Sequence, residues 1–271
     1  MYDVQPALND LASQLRSTSG QLDAMAADTD RRIGDTVGQL NGLLANLATL
    51  NNRIASASGS GQSPNDLLDQ RDSLITQVNK LIGATAYINP DGTANLYAAG
   101  GQALVVNATA STFGVVTDPL DPRRPQVVMK TLGNDVAVDS TSIGGGQLAG
   151  LLRFREQDLS SAQYRVGQLA GALAGAFNAQ QALGVDATGA PGAAMFAVGN
   201  PTVGTDANNQ GNAQLSVAVA DPKALAASDY EVTWDGTQYL AKRLSDGTMT
   251  NLGGLPQTVD GLTISGLSGT P

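Results

Sequence analysis

The sequence predicts an α+β protein: a rod or bundle of three long, coiled-coil-like helices, a β-hairpin insert, and a C-terminal antiparallel β-domain. Apolar residues recur at alternating steps of four and three in the first third of the chain and again after Gln147. Between those stretches, and from Leu215 onward, the period drops to two and Asp-Gly turns appear. A run rich in Gly, Ala and Asn separates the last helix from the last strands.

Val4, Leu8, Leu11, Leu15, Thr18, Leu22 and Met25 form the first apolar stripe. After a one-residue slip it resumes at Ile33, Val37, Leu40, Leu44, Leu47, Asn51 and Ile54, as one helix drifting against a strict heptad would. Gly34, Gly38 and Gly42 weaken this helix by up to about 1 kcal/mol each, so packing must hold it. Ser56 to Gln62 reads as a flexible turn. Ser63 then reads as a cap, Pro64 as the first helical residue and Asp66 as the acid of a capping box. Leu67, Leu68, Leu74, Ile75, Val78, Leu81 and Ile82 supply the second helix's apolar face, and Gly83 ends it. The short connection makes the two helices an antiparallel hairpin.

Strands are expected at Thr85–Asn89 and Asn95–Ala99, around the turn Asn89-Pro90-Asp91-Gly92. Others follow at Ala103–Val106, Phe113–Thr117, Gln126–Thr131 and Val136–Val138. The proline-rich Asp118–Pro125 stretch must be a loop. Helix returns from Gln147 to about Gln181, with Leu148, Leu152, Leu159, Ala162, Val166, Leu169, Leu173 and Phe177 on its stripe and Gly184 as its stop. Residues 184–212 read as a linker. Tyr230–Trp234, Tyr239–Leu244 and Leu262–Ile264 read as strands of a small antiparallel domain. The domains are therefore 1–83 with 147–184 as the helical rod, 84–146 as a β-rich insert packed on it, and 185–271 as linker and β-domain.

Composition narrows the function. The 271 residues carry 15 basic and 24 acidic side chains, a formal net charge of −9, and neither Cys nor His. Thiol and imidazole chemistry and the usual transition-metal sites are excluded. So thin a basic content speaks against nucleic acid and anionic membranes as partners. Met1 to Asp10 lacks the basic start and apolar stretch of a cleaved secretion signal. Leu169–Phe177 is too short to span a bilayer.

Each motif has a bland reading that outweighs its chemical one. Gly144, Gly146 and Ala149 match a loose dinucleotide pattern, but a long helix and a glycine-rich loop follow instead of a βαβ unit. They read as a strand-to-helix joint. Asp66, Asp69 and Asp72 could hold a cation, yet acids in a first turn stabilise a helix dipole, and Arg71 is a counter-ion. Asp118, Asp121 and Asp186 lack calcium-loop spacing. Asn107-Ala108-Thr109 fits a glycosylation sequon of the kind chance supplies. No catalytic, cofactor or metal residue is therefore expected, and the chain is read as a non-enzyme. The heptad stripes are the strongest signal, and most of that seam is expected to lie inside one molecule.

The residues also carry a family resemblance. Leu47-Ala48-Thr49-Leu50-Asn51-Asn52-Arg53-Ile54 is similar to a segment of the flagellar hook-associated protein 1 family, the hook–filament junction proteins. Ser63-Pro64-Asn65-Asp66-Leu67-Leu68-Asp69-Gln70-Arg71-Asp72 resembles a specific ten-residue signature of that family. Gly100–Val105, Gly145–Leu152 with Arg153-Phe154-Arg155, then Phe177-Asn178, Gly184, Asp186, Gly189 and Phe196 continue the likeness. Tyr230-Glu231-Val232 through Asp260–Ile264 resembles the family's β-domain.

The resemblance implies an extracellular structural subunit of the bacterial flagellum, exported through the flagellar type III channel without a cleaved signal peptide. It implies a ring joining hook to filament. The partners would be the hook protein, the second junction protein, further copies of itself and, for the full-length protein, an export chaperone. Family members also carry terminal segments that form an inner coiled-coil tube, and both are expected to lie outside this chain, leaving a monomeric fragment. The alternative is a surface-exposed adhesin or filament-cap-like binding module. In either case the β-domain is expected to be visible to antibodies.

Overall fold

A computed structural model describes residues 5–59, 64–121, 124–130, 135–185 and 188–271. Val4, Ser63, Asp186, Thr131 and the Pro122-Arg123 part of the proline-rich loop lie outside them. The architecture is α+β, with a long helical region and C-terminal antiparallel strands.

Helix α1 (Gln5–Gly59) runs 55 residues. Of the turn expected over Ser56 to Gln62, residues 56–59 are helical and 60–62 lie outside the described residues. Ile54 is fully buried beneath this end, the Ser56 hydroxyl donates back to the Asn52 carbonyl, and the Ser58 hydroxyl donates to the Asp91 carbonyl. The Ser56 hydroxyl is thus taken up within the helix, and the Ser58 hydroxyl ties the helix end to Asp91. Helix α2 (Asn65–Leu81) starts one residue later than expected: Pro64 precedes it, at ψ 55°, and makes no side-chain cap.

The chain divides into two compact units, Met25–Asp158 and Met1–Ala24 with Leu159–Pro271. In the first, the second half of the α1 stripe is the spine of the core. Ile33, Val37, Leu40, Leu44 and Leu47 are at most 4% exposed and pack with Val78 and Leu81 of α2 and with Ile82 just after it. One four-stranded sheet has the order β1 (Ala84–Ile88), β2 (Ala94–Ala98), β3 (Ala103–Val106), β4 (Thr109–Ala110). Ala84 pairs with Ala98 and Ile88 with Ala94 around the expected hairpin turn. Period-two patterning works as intended on β2, where Ala94, Leu96 and Ala98 are buried and the residues between them are not. A second sheet joins β5 (Thr112–Thr117), β6 (Pro125–Lys130) and β7 (Val136–Ala137). Pro125, expected in the loop, opens β6 opposite Thr117, a strand-start position that tolerates its missing N–H. Helix α3 (Gly146–Arg153) closes this core with Leu148 and Leu152.

The third helical stretch is not a uniform heptad helix. A π-helical segment, Phe154–Leu159, lies between α3 and α4 (Ser160–Ala182). Its wider turn shifts the register of the stripe that follows. Leu159 is still buried, but Leu169 is 51% exposed, and on α1 Met25 is 47% exposed.

In the second unit, β8 (Gln214–Val219), β9 (Tyr230–Trp234), β10 (Tyr239–Arg243), β11 (Met249–Gly253), β12 (Gln257–Val259) and β13 (Leu262–Ser268) form two three-stranded sheets, β11-β10-β9 and β12-β13-β8. Ala241, Leu252, Val259 and Ile264 make their shared core. The segment after β8 seats on α4. A Cβ on Gly175 would lie 2.6 Å from Pro222, and one on Gly171 would lie 3.0 Å from Leu225. Gln168 donates to the Leu225 carbonyl, and the Tyr164 hydroxyl donates to Asp229 at 2.9 Å. Tyr164, Gln168, Gly171 and Gly175 therefore form one face of α4. Among the described residues no helix is long and apolar enough to cross a membrane.

Candidate functional site

The motifs singled out in the sequence turn out to be joints and braces. Gly144 and Gly146 hold φ of 66° and 79°. A Cβ on Gly144 would overlap the Ala99 Cβ, and one on Gly146 would sit 2.6 Å from the backbone of Leu81 and Ile82. The Gly83 N–H donates to the Gly145 carbonyl at 3.0 Å, tying the end of α2 to the start of α3. The chain's own backbone fills the space in front of α3 that a phosphate would need. Ala149 packs against the core.

Arg71 is a buried cation, with a side chain 9% exposed. It bonds Asp72 through Nε at 2.9 Å and Nη2 at 2.7 Å, and its Nη1 donates to the Gly92 carbonyl. It thus clamps the β1–β2 turn to α2. Asp66 and Asp69 are exposed on the same helix. Among the described residues no group of three carboxylates could hold a metal ion. Asp118 accepts the Leu120 N–H at 2.9 Å, and Asp121 pairs with Arg124 at 3.6 Å, so both are occupied within their own loop. Asp186 lies outside the described residues. Asn107 occupies the left-handed region at φ 53°, in the β3–β4 turn. Its N–H donates to Asn95 and its carbonyl accepts from Asn51, so its backbone is fixed in the turn while the residue itself is exposed.

Sequence reasoning missed the asparagine side chains that act as pieces of strand. Asn51 donates to the Ala94 carbonyl at 2.8 Å and accepts the Ala94 N–H at 2.9 Å. Asn41 does the same with Phe113, at 2.9 and 2.8 Å. Asn178 does the same with Phe196, at 2.8 and 2.9 Å. Each carboxamide satisfies both backbone groups of a residue far away in sequence. The available signal was a polar residue at a buried stripe position, as Asn51 is.

Two ionic networks were also missed. Arg155 reaches Asp30 at 3.0 Å and the Pro125 carbonyl at 2.6 Å from the π-helical segment. Beside it, burial pushes the Glu156 carboxyl above its ordinary pKa, against a hydrogen bond from Ser140. In the β-domain, Arg243 pairs with Asp260 at 2.8 Å and Asp246 at 3.0 Å. The Tyr230 hydroxyl donates to Asp260, and burial with this bond pushes its pKa up to about 12. These polar groups are paired with one another.

Comparison with known proteins accounts for nearly the whole chain. Residues 3–196 match the family described as the helical domain of flagellar hook-associated protein FlgK, and residues 204–270 match a D2-like domain of flagellar hook-associated protein 1. Flagellar hook-associated protein 1 of Salmonella typhimurium is 37% identical over 243 residues, covering 88% of this chain and 44% of the relative. The Escherichia coli K12 protein is 36% identical over 242 residues, with the same coverage. The flagellar hook junction protein FlgK of Burkholderia pseudomallei superposes with a TM-score of 0.86 at 36% identity, covering 97% of this chain and 49% of that one. The chain thus spans about half the length of the relatives it matches.

Proposed function

This chain belongs to the flagellar hook-associated protein 1 family, and on that premise we propose that its parent is a structural adapter subunit joining hook to filament. The observation that carries the proposal is the likeness of almost the entire chain to a flagellar hook junction protein. The parent works by shape and lateral packing, with no chemical step. Two subunit lattices of different geometry meet at the joint, and an intervening ring accommodates both.

Several finer readings belong to the same proposal. The helical segments 1–83 and 147–184 act as a coiled-coil-like rod, the insert 84–146 packs on it, and 185–271 forms a linker and a small antiparallel β-domain. The partners are the hook protein, the second junction protein and further copies of the parent, with an export chaperone before assembly. The parent leaves the cell through the flagellar type III route without a cleaved signal. The isolated chain is monomeric.

Deletion of the parent gene tests the adapter reading. Bald cells with intact hooks, cured by the full-length gene, support it. Normal filaments with reduced attachment to surfaces would support a surface adhesin in its place.

A further inference from the structure

The β-domain meets α4 across a seat that buries no core. Along α4 only Ser160 is buried, and every residue of 221–229 is exposed or half-buried. The seat is crossed by the bonds from Tyr164 to Asp229 and from Gln168 to the Leu225 carbonyl, with Gly171 and Gly175 admitting Leu225 and Pro222. Contacts that remove little apolar surface from water open at low cost. The sheets beyond the seat need no help from it, because Ala241, Leu252, Val259 and Ile264 form their own core and are at most 8% exposed.

The 221–229 segment belongs to the β-domain. It connects β8 to β9, and the N–H groups of Ala220 and Asp221 both donate to the Gly261 carbonyl, at 2.8 and 3.0 Å. The Leu244 N–H donates to the Asp229 carbonyl at 3.0 Å, and the Ser245 N–H donates to the Ser228 hydroxyl at 2.9 Å. If the contact with α4 opens, the segment therefore leaves with the sheets.

The covalent link between helix and β-domain is slack. Asn178 fixes Phe196 on α4, and Asn212 is bonded to Thr270 at the end of the β-domain. Between these anchors, residues 197–211 form neither helix nor strand and are exposed except at Asp206. Among the described residues their hydrogen bonds run from Asn208 and Asn209 to Asp206 and from Gln210 to Asn208, all within the stretch. Fully extended, such a stretch spans about 50 Å. Asn178 and Gly175 lie about 5 Å apart along the helix axis.

We propose that the β-domain is a releasable module: it leaves its seat on α4, carries 221–229 with it, and stays tied by 197–211. Release lets the domain follow a neighbouring subunit while α4 stays in place, and that use rests on the adapter reading.

Double electron–electron resonance tests the release. The chain has no cysteine of its own, so spin labels go to Arg165→Cys on α4 and Thr233→Cys on β9, both exposed positions. The unaltered seat is expected to give a narrow distance peak and a broad one holding at least a tenth of the molecules. Tyr164→Phe, which removes the bond to Asp229, raises the broad fraction at least threefold. Gly175→Leu leaves only the broad peak. Trp234, the chain's one tryptophan, closes β9 and keeps its folded emission in every variant. A single narrow peak from the unaltered seat, a distribution that either substitution leaves unmoved, or loss of the Trp234 emission in Gly175→Leu would overturn the inference. The distances are read in solution, so they decide the release whatever the gene deletion decides about the adapter reading.

Discussion

The Asn51 carboxamide and the backbone of Ala94 hold each other by two hydrogen bonds, Nδ2 to the carbonyl at 2.8 Å and the N–H to Oδ1 at 2.9 Å. Both residues are buried, and Asn51 also donates to the Asn107 carbonyl at 2.7 Å. The helix therefore grips the sheet at its second strand and at the β3–β4 turn with one side chain. Asn51→Ala strands those backbone groups away from water, where each costs roughly 1–3 kcal/mol. The variant is expected to lose about 2–4 kcal/mol of unfolding free energy in a urea titration. Asn52→Ala, on the exposed neighbour, is expected to change little.

Glycines in this chain divide into two kinds with opposite responses. Gly144→Ala meets the Ala99 Cβ at a φ of 66°, and is expected to destabilise by about 2–5 kcal/mol. Gly38→Ala, in the middle of α1 with nothing within 4 Å, is expected to stabilise by about 0.5–1 kcal/mol. Thermal unfolding of the two variants side by side reads both signs.

The seat of the β-domain on α4 depends on the absence of side chains. Gly175→Leu would drive a branched chain into Pro222, whose Cβ is 2.6 Å from where a Cβ would stand. The 221–229 segment is expected to lift off α4, and its amides to exchange with deuterium at least tenfold faster. The sheets β11-β10-β9 and β12-β13-β8, with their own core, keep their protection.

Tyr230 carries a pH signature. Its pKa is raised to about 12 by burial and by the bond to Asp260, above the ordinary 10.0. The folded form therefore holds the phenolic proton longer than the unfolded chain does. The stability this group contributes is complete below pH 10 and is lost as pH rises toward 12. Absorbance titration of the folded protein is expected to show a tyrosine phase near pH 12, above the ordinary 10.0. Tyr230→Phe is expected to remove that late phase.

What could be read from the sequence depended on how local its cause was. Ile33, Val37, Leu40, Leu44 and Leu47 announce their burial through a repeat contained within one helix, and all of them are core. The hairpin at Asn89–Gly92 is likewise a local matter of turn chemistry. Asn51 stood in the same stripe, but its partner comes from a strand 43 residues away, a distance no local pattern encodes. The π-helical segment at Phe154–Leu159 leaves no mark in a heptad count, because the stripe on either side of it still looks regular. Strands as short as Thr109–Ala110 have no period to detect. Arg71 was read as a counter-ion for its helix. Its larger role, the clamp on Gly92, also required the β-hairpin to be folded back over α2.

Immunogold electron microscopy of intact flagella, with antibodies raised against the β-domain of residues 204–270, tests the central claim most directly. The account predicts a single narrow band of label where hook meets filament, absent in cells deleted for the parent gene. Label spread along the filament, confined to its far tip, or lying on the cell body away from flagella would contradict it.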